Sequence, residues 1–402
     1  MKRSINNIPE GYKRNSTLGV IPNEWEVKRL GEIFEIIAGG DIELAHVKNN
    51  KDEVFKYPIY ANAAKNKGLY GFSDIYKIDY DCITVSGRGD IGIANARSGK
   101  FYPIVRLLVL NPQQKIDTIY FENAINIMRI YCESTGVPQL TSPQLSKYKV
   151  LVPPLPEQRK IAEVLSTWDR AIEKQTLLVE KLELRKKGLM QQLLTGKKRL
   201  PGFSEEWKNV KLGDIAKRIV RKNNIECSNV VTISAQKGFV RQTDFFNKKI
   251  ASETVENYYL VKRDEFCYNK SYCNGFPMGA IKRLKEFDQA VVTTLYICFS
   301  IQPERASLDF IEQYFSLGLL NRGLMKIANE GGRAHGLLNV TPNDFFNTEL
   351  MLPPFDEQKA ISSILLNAHE EVIFAKSKLE FLRQEKKGLM QVLLTGKKRV
   401  RL

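Results

Sequence analysis

Residues 186–199 read KKGLMQQLLTGKKR, and residues 386–399 read KKGLMQVLLTGKKR, so that one position in fourteen differs. Upstream, VPPLPEQRKIAEVL from Val152 has a counterpart in LPPFDEQKAISSIL, again 200 residues later. Farther upstream, EWEVKRLGEI around Trp25 has a counterpart in EWKNVKLGDI around Trp207. Repetition of this kind indicates a duplicated architecture. The sequence therefore predicts two similar frames that enclose two bodies of unlike sequence.

Each frame predicts a long helix that begins near its Pro-Pro-x-x-Glu-Gln segment. From Glu157 to Leu194 the first copy has no proline, and apolar residues recur at alternating steps of four and three positions. This period, sustained over about five heptads, is typical of a coiled-coil seam. Gly196 and Gly396 follow the last seam residue as helix stops. Each predicted helix has roughly 38 residues and a length of about 55 Å.

The seam positions are mostly apolar in both helices. Lys186 and Lys386 also lie on the seam, where a charge costs stability but can fix the register. Gly188 and Gly388 lie inside the helices, and each should cost about 1 kcal/mol relative to alanine. The apolar seam residues are Ile161, Leu165, Trp168, Ile172, Val179, Leu182, Leu189 and Leu193 in the first helix, and Ile361, Leu365, Val372, Leu379, Leu382, Leu389 and Leu393 in the second.

Two matching helices in one chain can pair with each other. The long segment between them leaves a parallel and an antiparallel arrangement open. An antiparallel pair would make the molecule nearly two-fold symmetric, with one body at each end.

The composition is that of a soluble protein with two or three domains, because the chain has 402 residues, 43% hydrophobic and 26% charged. The longest apolar stretch is too short and too polar for a membrane span, and the N-terminus MKRSINNIPEG has no apolar core of an export signal. The six cysteines include no CxxC pair. We therefore expect reduced thiols in a cytoplasmic protein and no metal site.

The charge indicates a polyanionic partner. Lys and Arg number 61 against 45 Asp and Glu, which gives a net charge of +16 at pH 7. Such an excess attracts phosphates and is typical of nucleic-acid binding. A well-solvated surface would have the same balance, so the charge alone leaves both interpretations open.

The two bodies read as mixed α and β with many short strands. In the first, DCITVSG, IGIANAR and IVRLLVL have β-branched alternation bounded by Gly, Asn and Pro. Asn, Tyr and basic side chains on Gly-rich loops suit base-edge and phosphate contacts, although such residues are common on any surface. The candidate DNA-binding residues are Ser86, Arg88, Asn95 and Arg97 in the first body, and Asn269, Lys270, Tyr272, Asn274 and Arg283 in the second.

Three partial motifs do not support catalysis. Residues 87–92 fit GxGxxG, but the next residues predict a strand where a dinucleotide site requires a helix. Leu352 precedes Pro-Pro-Phe, where amino-methyltransferases have Asn or Asp to accept a hydrogen bond from the target amine. The Pro-Asn-Asp segment from Pro342 with Glu357 and Lys359 is similar to a nuclease pattern, but its Glu-x-Lys part opens a helix. We predict no catalytic residue in this chain.

The order of Trp segment, variable body, Pro-Pro-x-x-Glu-Gln turn and long helix ending KKGLMQxLLTGKKR, given twice, resembles the specificity (S) subunit of type I restriction–modification systems. The resemblance implies two target-recognition domains, each reading one half of a split double-stranded DNA site. It also implies that the long helices form an antiparallel coiled coil that spaces these domains and docks two methyltransferase subunits. Motor-nuclease subunits would complete the complex.

The same resemblance implies that the cofactors lie elsewhere: S-adenosylmethionine, Mg²⁺ and ATP are expected only on partner subunits, and none on this chain. The predicted fold class is α+β with a pseudo-two-fold repeat. The expected domains are an N-terminal tail (1–20), a first recognition domain (21–152), a first spacer helix (153–200), a second recognition domain (201–352) and a second spacer helix (353–402). The alternative is a stand-alone DNA-binding or scaffold protein with duplicated modules and no enzyme partner.

Overall fold

The computed structural model describes residues 8–128, 130, 139–225, 227–242, 255–271, 275–330 and 338–402. The chain forms two compact units. The first unit combines Met1–Leu177 with Ser377–Leu402, and the second contains Leu178–Lys376. Both units are built from helices and sheets, which confirms the predicted α+β class.

The first unit contains most of its strands in one four-stranded and one three-stranded sheet. Its strands are β1 (Tyr12–Asn15), β2 (Gly19–Pro22), β3 (Glu26–Arg29), β4 (Phe34–Ala38), β5 (Tyr57–Tyr60), β6 (Leu69–Ser73), β7 (Cys82–Val85), β8 (Ala94–Arg97), β9 (Tyr102–Pro103), β10 (Leu108–Pro112) and β11 (Lys149–Val152). Its helices are α1 (Leu30–Ile33), α2 (Thr118–Asn126), α3 (Ser142–Leu145) and the beginning of α4 (Leu155–Leu193). Short 3₁₀ turns occupy Leu44–His46 and Lys65–Gly68.

The second unit begins within α4. Its strands are β12 (Lys208–Lys211), β13 (Ala216–Ile219), β14 (Val231–Ser234), β15 (Gly238–Arg241), β16 (Tyr259–Lys262), β17 (Phe266–Asn269), β18 (Ala280–Arg283), β19 (Gln289–Val292), β20 (Ile297–Ile301), β21 (Asn329–Glu330), β22 (Leu338–Asn339) and β23 (Glu349–Leu352). Its helices are α5 (Leu212–Ile215), α6 (Leu308–Ser316), α7 (Asn321–Ile327), α8 (Pro342–Phe346) and the beginning of α9 (Phe355–Leu393).

The two units repeat the same sheet order despite their unlike sequences. The antiparallel order is β4-β10-β7-β8 in the first unit and β13-β20-β17-β18 in the second. Each unit also has a two-stranded pair beside the long helices, β3-β11 or β12-β23. The structural repeat is therefore more extensive than the sequence repeat. The units differ outside this frame, where the first has the sheet β6-β5-β9 and the second has the pairs β14-β15 and β16-β19.

The long helices pair antiparallel within each unit. In the first unit, Leu393 near the end of α9 packs in the same core as Ile161 near the start of α4. In the second unit, Leu193 near the end of α4 packs in the same core as Ile361 near the start of α9. This observation decides between the two directions that the sequence left open.

Burial follows the predicted seam. Every residue of both seams, taken at alternating steps of four and three positions, is buried or half-buried, including Lys186 and Lys386. Residues on the outer faces of the same helices are open to solvent, as at Leu184 (72% exposed) and Phe374 (73% exposed). Each helix has 39 residues. Gly196 and Gly396 end them with φ values of 69° and 70°, as the sequence indicated.

Two expectations about the first body need correction. The predicted strand IVRLLVL begins only at Leu108, because Val105 and Arg106 adopt left-handed φ values of 53° and 58°. Residues 12–22 form the hairpin β1-β2, most of which lies in the segment 1–20 expected as an N-terminal tail. The GxGxxG segment at 87–92 connects two antiparallel strands, β7 and β8, as its sequence context indicated.

Candidate nucleic-acid interface and partner contacts

A buried carboxylate joins three parts of the first unit. Glu157, in the first turn of α4, is fully buried. It accepts a hydrogen bond from Trp25 Nε1 at 2.9 Å and two from Arg399, at 2.9 Å from Nε and 2.8 Å from Nη2. Arg399 also contacts Glu24 at 2.7 Å. Because all polar atoms of the carboxylate have partners, its burial is tolerated.

The second unit contains the same arrangement in the matching residues. Glu357 is fully buried and accepts hydrogen bonds from Trp207 Nε1 at 3.2 Å and from Nε and Nη2 of Arg199, both at 2.7 Å. We call each Trp-Glu-Arg set a carboxylate clamp. The three repeated segments of the sequence thus meet in each unit. The clamps were not predicted from the sequence, although a Trp, a Glu and an Arg recur at matched places in the two frames.

The glutamine that follows each clamp glutamate is also structural. Gln158 donates from Nε2 to the carbonyl of Pro153 at 2.8 Å and accepts from the Asp117 amide at 3.0 Å. Gln358 makes the corresponding contacts in the second unit, at 2.9 Å each, with the Pro353 carbonyl and the Ser307 amide. The Pro-Pro-x-x-Glu-Gln segment therefore fixes the entry to each long helix.

Two of the candidate residues in the first body are almost fully buried and hydrogen-bonded within the unit. Ser86 is 4% exposed, and its hydroxyl bonds the Asp90 carbonyl within its own turn. Arg97 is 7% exposed and donates from Nε to Thr84 Oγ1 at 2.9 Å, with its guanidinium 3.6 Å from the centre of the Tyr60 ring. These contacts occupy both side chains, so we no longer propose Ser86 and Arg97 as residues that contact bases.

Arg88 and Asn95 remain accessible. Arg88 lies on the turn between β7 and β8, is half-buried, and donates to Gln139 Oε1 at 3.1 Å. Asn95 lies on β8 and is also half-buried. Both stay candidates for contact with DNA.

In the second body, Arg283 is held by acidic neighbours. Its side chain is 10% exposed and forms ion pairs with Asp264 at 2.5 Å, Asp309 at 2.7 Å and Glu312 at 3.3 Å. A guanidinium neutralised by three carboxylates is unsuited to attract phosphate. We therefore withdraw Arg283 from the proposed base contacts.

Asn269 and Lys270 are half-buried at the end of β17. Asn269 accepts from the Ser271 amide at 3.0 Å, and Lys270 donates to the Val340 carbonyl at 3.3 Å. Burial lowers the pKa of the Lys270 ammonium. Tyr272 and Asn274, the other two candidates, lie outside the described residues.

The seam lysines have different partners in the two units. In the first unit, Lys386 Nζ contacts Asp169 Oδ1 at 2.6 Å. In the second, Lys186 Nζ contacts His369 Nδ1 at 3.0 Å. Burial, followed by the nearby Lys186, lowers the pKa of His369. The carboxylate of Asp169 in the first copy thus corresponds to the imidazole of His369, 200 residues later, in the second copy.

The outer faces of the long helices carry large apolar side chains. In the second unit, Leu178, Leu184, Ile373 and Phe374 are 45%, 72%, 51% and 73% exposed.

No group of three or more His, Cys, Asp or Glu residues in the described ranges could hold a metal ion. Across those same residues, every helix is too short or too polar to cross a membrane.

Comparisons with known proteins identify relatives of one kind. Residues 22–182 match the family described as type I restriction modification DNA specificity domain. A Mycoplasma pneumoniae protein described as a type I specificity subunit is 31% identical over 142 residues, which cover 35% of this chain and 39% of that protein. The type I restriction enzyme MjaVIII specificity subunit of Methanocaldococcus jannaschii is 22% identical over 98% of this chain and 97% of its own length.

Solved structures share the fold. The type I restriction–modification S subunit from M. genitalium superposes with a TM-score of 0.60 at 15% identity, covering 95% of this chain and 98% of that chain. The match to the Mycoplasma pneumoniae relative spans about two fifths of that protein, whereas the archaeal match and the structural match span nearly all of both chains. The doubled frame, the match over nearly the full length of the archaeal relative and the shared fold agree, and the chain is similar to type I restriction–modification specificity subunits.

Proposed function

We propose that this chain is the DNA-reading subunit of a type I restriction–modification complex, in which each unit reads one half of a bipartite site on double-stranded DNA. The observation that carries the proposal is the duplicated frame. Two sheets of the same strand order and two carboxylate clamps hold bodies of unlike sequence. A repeated scaffold that holds two bodies of unlike sequence suits the recognition of two different half-sites. The net charge of +16 supplies the attraction to phosphates.

We further propose that the chain is not an enzyme. Glu357, the glutamate of the nuclease-like pattern, is occupied by Arg199 and Trp207 in the clamp. Leu352, in the position of the methyltransferase amine acceptor, ends β23 with an apolar side chain. The chemistry, together with S-adenosylmethionine, Mg²⁺ and ATP, would belong to the partner subunits.

The partners that we propose are two methyltransferase subunits and motor-nuclease subunits, acting in the cytoplasm. The exposed apolar residues of the long helices support docking of a protein there. Leu184 and Phe374 expose large apolar side chains on helices whose seams are already filled. Large apolar side chains exposed on helices whose seams are already filled suit the docking of a protein partner.

The base contacts that we propose are Arg88 and Asn95 in the first unit, and Asn269, Lys270, Tyr272 and Asn274 in the second. Arg88 offers the donor fork that pairs with guanine, and Asn95 offers the amide that pairs with adenine. Because the bodies are the divergent parts of the repeat, they are the parts suited to carry different sequence preferences.

The proposal is tested by mapping methylated adenines in cells with and without this chain, each expressing the methyltransferase partner. We expect a bipartite site with a non-specific spacer, present only when the chain is present. The alternative, a stand-alone DNA-binding or scaffold protein, predicts DNA binding without any dependence of methylation on the chain. A partner gene that encodes Asn-Pro-Pro-Phe would favour the first interpretation.

A further inference from the structure

Three loops of the first unit meet at the side chain of Asn62. Asn62 lies in the loop between β5 and β6. Its Nδ2 donates to the carbonyl of Val105, in the loop before β10, and its Oδ1 accepts from the amide of Gly87 at 2.7 Å, in the turn between β7 and β8. One amide side chain thus connects segments that are 25 and 43 residues away in sequence.

The same loops contain an unusual backbone. Asn66, Lys67, Val105 and Arg106 have φ between 50° and 58°, and the fifth non-glycine residue with positive φ in the described ranges is Asp264. Such conformations are disfavoured for residues with a Cβ atom, most of all for a β-branched valine. They persist where the surroundings hold them, and they cluster at binding sites. Here the surroundings include the bond from Asn62 to the Val105 carbonyl and a bond from Arg97 to the Lys67 carbonyl.

The loops present cations that have no internal partner. Lys65 and Arg106 are exposed, and neither side chain forms a hydrogen bond or ion pair with another described residue. They differ in this from Arg97 and Arg283, whose charged groups are engaged inside their units. The turn that carries Arg88 packs closely beside Arg106, since a Cβ atom on Gly87 would lie 3.2 Å from the Arg106 carbonyl.

We propose that residues 61–68, 87–90 and 105–106 form a single DNA-contact surface of the first unit, in which Arg106 contacts the duplex and Asn62 is the positioning residue. This proposal rests on the proposed function and names the residues that perform it in one half-site. Asn62 holds the three loops together before DNA arrives. The loops then lose little conformational freedom on binding, which is the benefit of preorganisation.

The test compares two variants that each remove one positive charge. Arg106 precedes β10 and Lys115 follows it, so the two exposed cations lie at opposite ends of one strand. Arg106→Gln and Lys115→Gln would be produced in the full chain, assembled with the methyltransferase partner. Binding would be measured on the mapped duplex at several salt concentrations, and on duplexes with substitutions in each half-site.

We expect Arg106→Gln to weaken binding by about 5- to 150-fold if it reads a base, with relaxed preference in one half-site only. If it contacts phosphate, affinity should fall for all sequences and the salt slope should decrease by about one. Either result supports the surface. Equal behaviour of Arg106→Gln and Lys115→Gln in affinity, salt slope and half-site preference would overturn it.

Asn62 is tested by graded loss of its bonds. Asn62→Ala removes both, whereas Asn62→Asp keeps the acceptor for the Gly87 amide and loses the donor to the Val105 carbonyl. We expect relaxed preference in the first unit's half-site for both, with the other half-site unchanged. Unchanged preference in a folded Asn62→Ala protein would remove Asn62 from the proposal, and if that variant does not fold, Arg106→Gln decides alone. A wild-type complex with no bipartite methylation would instead overturn the proposed function.

Discussion

Glu157 and Glu357 show how a single residue type connects the repeated sequence to the fold. A buried carboxylate without partners would cost several kcal/mol, so each one fixes the positions of the groups that neutralise it. For Glu157, those groups are Trp25, at the start of the first frame, and Arg399, at the end of the second frame. The same three residue types occur in both units because the same electrostatic requirement occurs twice.

The clamp can be tested by removing its arginine. Arg399→Ala leaves Trp25 as the remaining side-chain partner of the Glu157 carboxylate, and we expect a loss of about 1–3 kcal/mol in the free energy of unfolding, because Arg399 is itself about a third exposed and water can reach the vacated space. The neighbouring Lys398 is exposed, so Lys398→Ala is a matched control that should change stability by less than about 0.5 kcal/mol. Denaturant unfolding followed by circular dichroism gives both values. Equal stability of the two variants would show that the clamp contributes nothing.

His369 gives the seam of the second unit a titratable imidazole where the first unit has Asp169. Its neutral Nδ1 accepts from Lys186, and protonation would place two positive charges side by side, with Lys285 adding repulsion and Glu312 and Glu370 opposing it. Because the folded pKa of His369 is lowered, the folded state binds fewer protons than the unfolded state. The stability is therefore complete above the unfolded pKa of about 6.5 and is lost as pH falls below it.

His369→Asp should remove this loss and recreate the pair that Asp169 forms with Lys386. We expect a smaller fall in the unfolding midpoint between pH 7.5 and pH 5.5 than in the wild type. At pH 7.5 the free energy of unfolding should rise by at most about 1 kcal/mol, since the pair is partly exposed. The mirror variant, Asp169→His, should introduce the same pH dependence into the first unit. Identical pH profiles of wild type and His369→Asp would exclude His369 as the titrating group.

At the scale of elements, the long helices were the most predictable part. Their apolar period is local, and a period of 3.5 residues has one structural interpretation. The direction of pairing was not predictable, because it depends on which helix ends share a core. The strand before Leu110 was predicted too long, because tertiary contacts of Val105 and Arg106 override their β propensity. For the same reason, the burial of Arg97 and Arg283 could not be read from their residue type.

Glycines in and after the helices should respond in opposite ways to substitution. Gly188 and Gly388 lie inside the helices, and a Cβ atom there would meet nothing within 4 Å. Gly188→Ala and Gly388→Ala should each stabilise the protein by about 0.4–1 kcal/mol. Gly196 has a φ of 69°, and Gly196→Ala should destabilise by about 1 kcal/mol or more. Thermal unfolding of the three variants measures whether each substitution raises or lowers the stability. A destabilising Gly188→Ala would contradict the open space at that position.

At the scale of the whole molecule, the segments that make up each unit explain why the chain contains its helix twice. The first unit needs the start of α4 and the end of α9, including Arg399 for its clamp. The second needs the end of α4 and the start of α9, including Arg199. Each unit is therefore completed by a segment that lies in the other frame. A single copy of the helix would leave both clamps without one of their partners.

The length of the paired helices is the basis of our last proposal, that it sets the number of base pairs between the half-sites. Repeating residues 174–180 after Glu180 and residues 374–380 after Glu380 adds one heptad to each helix and keeps the seam in phase. The added length is about 10.5 Å, which corresponds to about three base pairs at about 3.4 Å each. Insertions of three residues at the same places are the control, because they put the seam out of phase.

With the heptad insertions, we expect the methylated adenines to keep both half-site sequences while the non-specific spacer grows by about three base pairs. Neither body changes, so neither sequence preference should change. The longer spacer also rotates one half-site by roughly 100° about the duplex axis, given about 10.5 base pairs per turn, so the extent of methylation should fall. The three-residue insertions should lower stability and methylation without defining a new spacer. A lengthened chain that methylates the original site with its original spacing would show that the helices do not measure the distance.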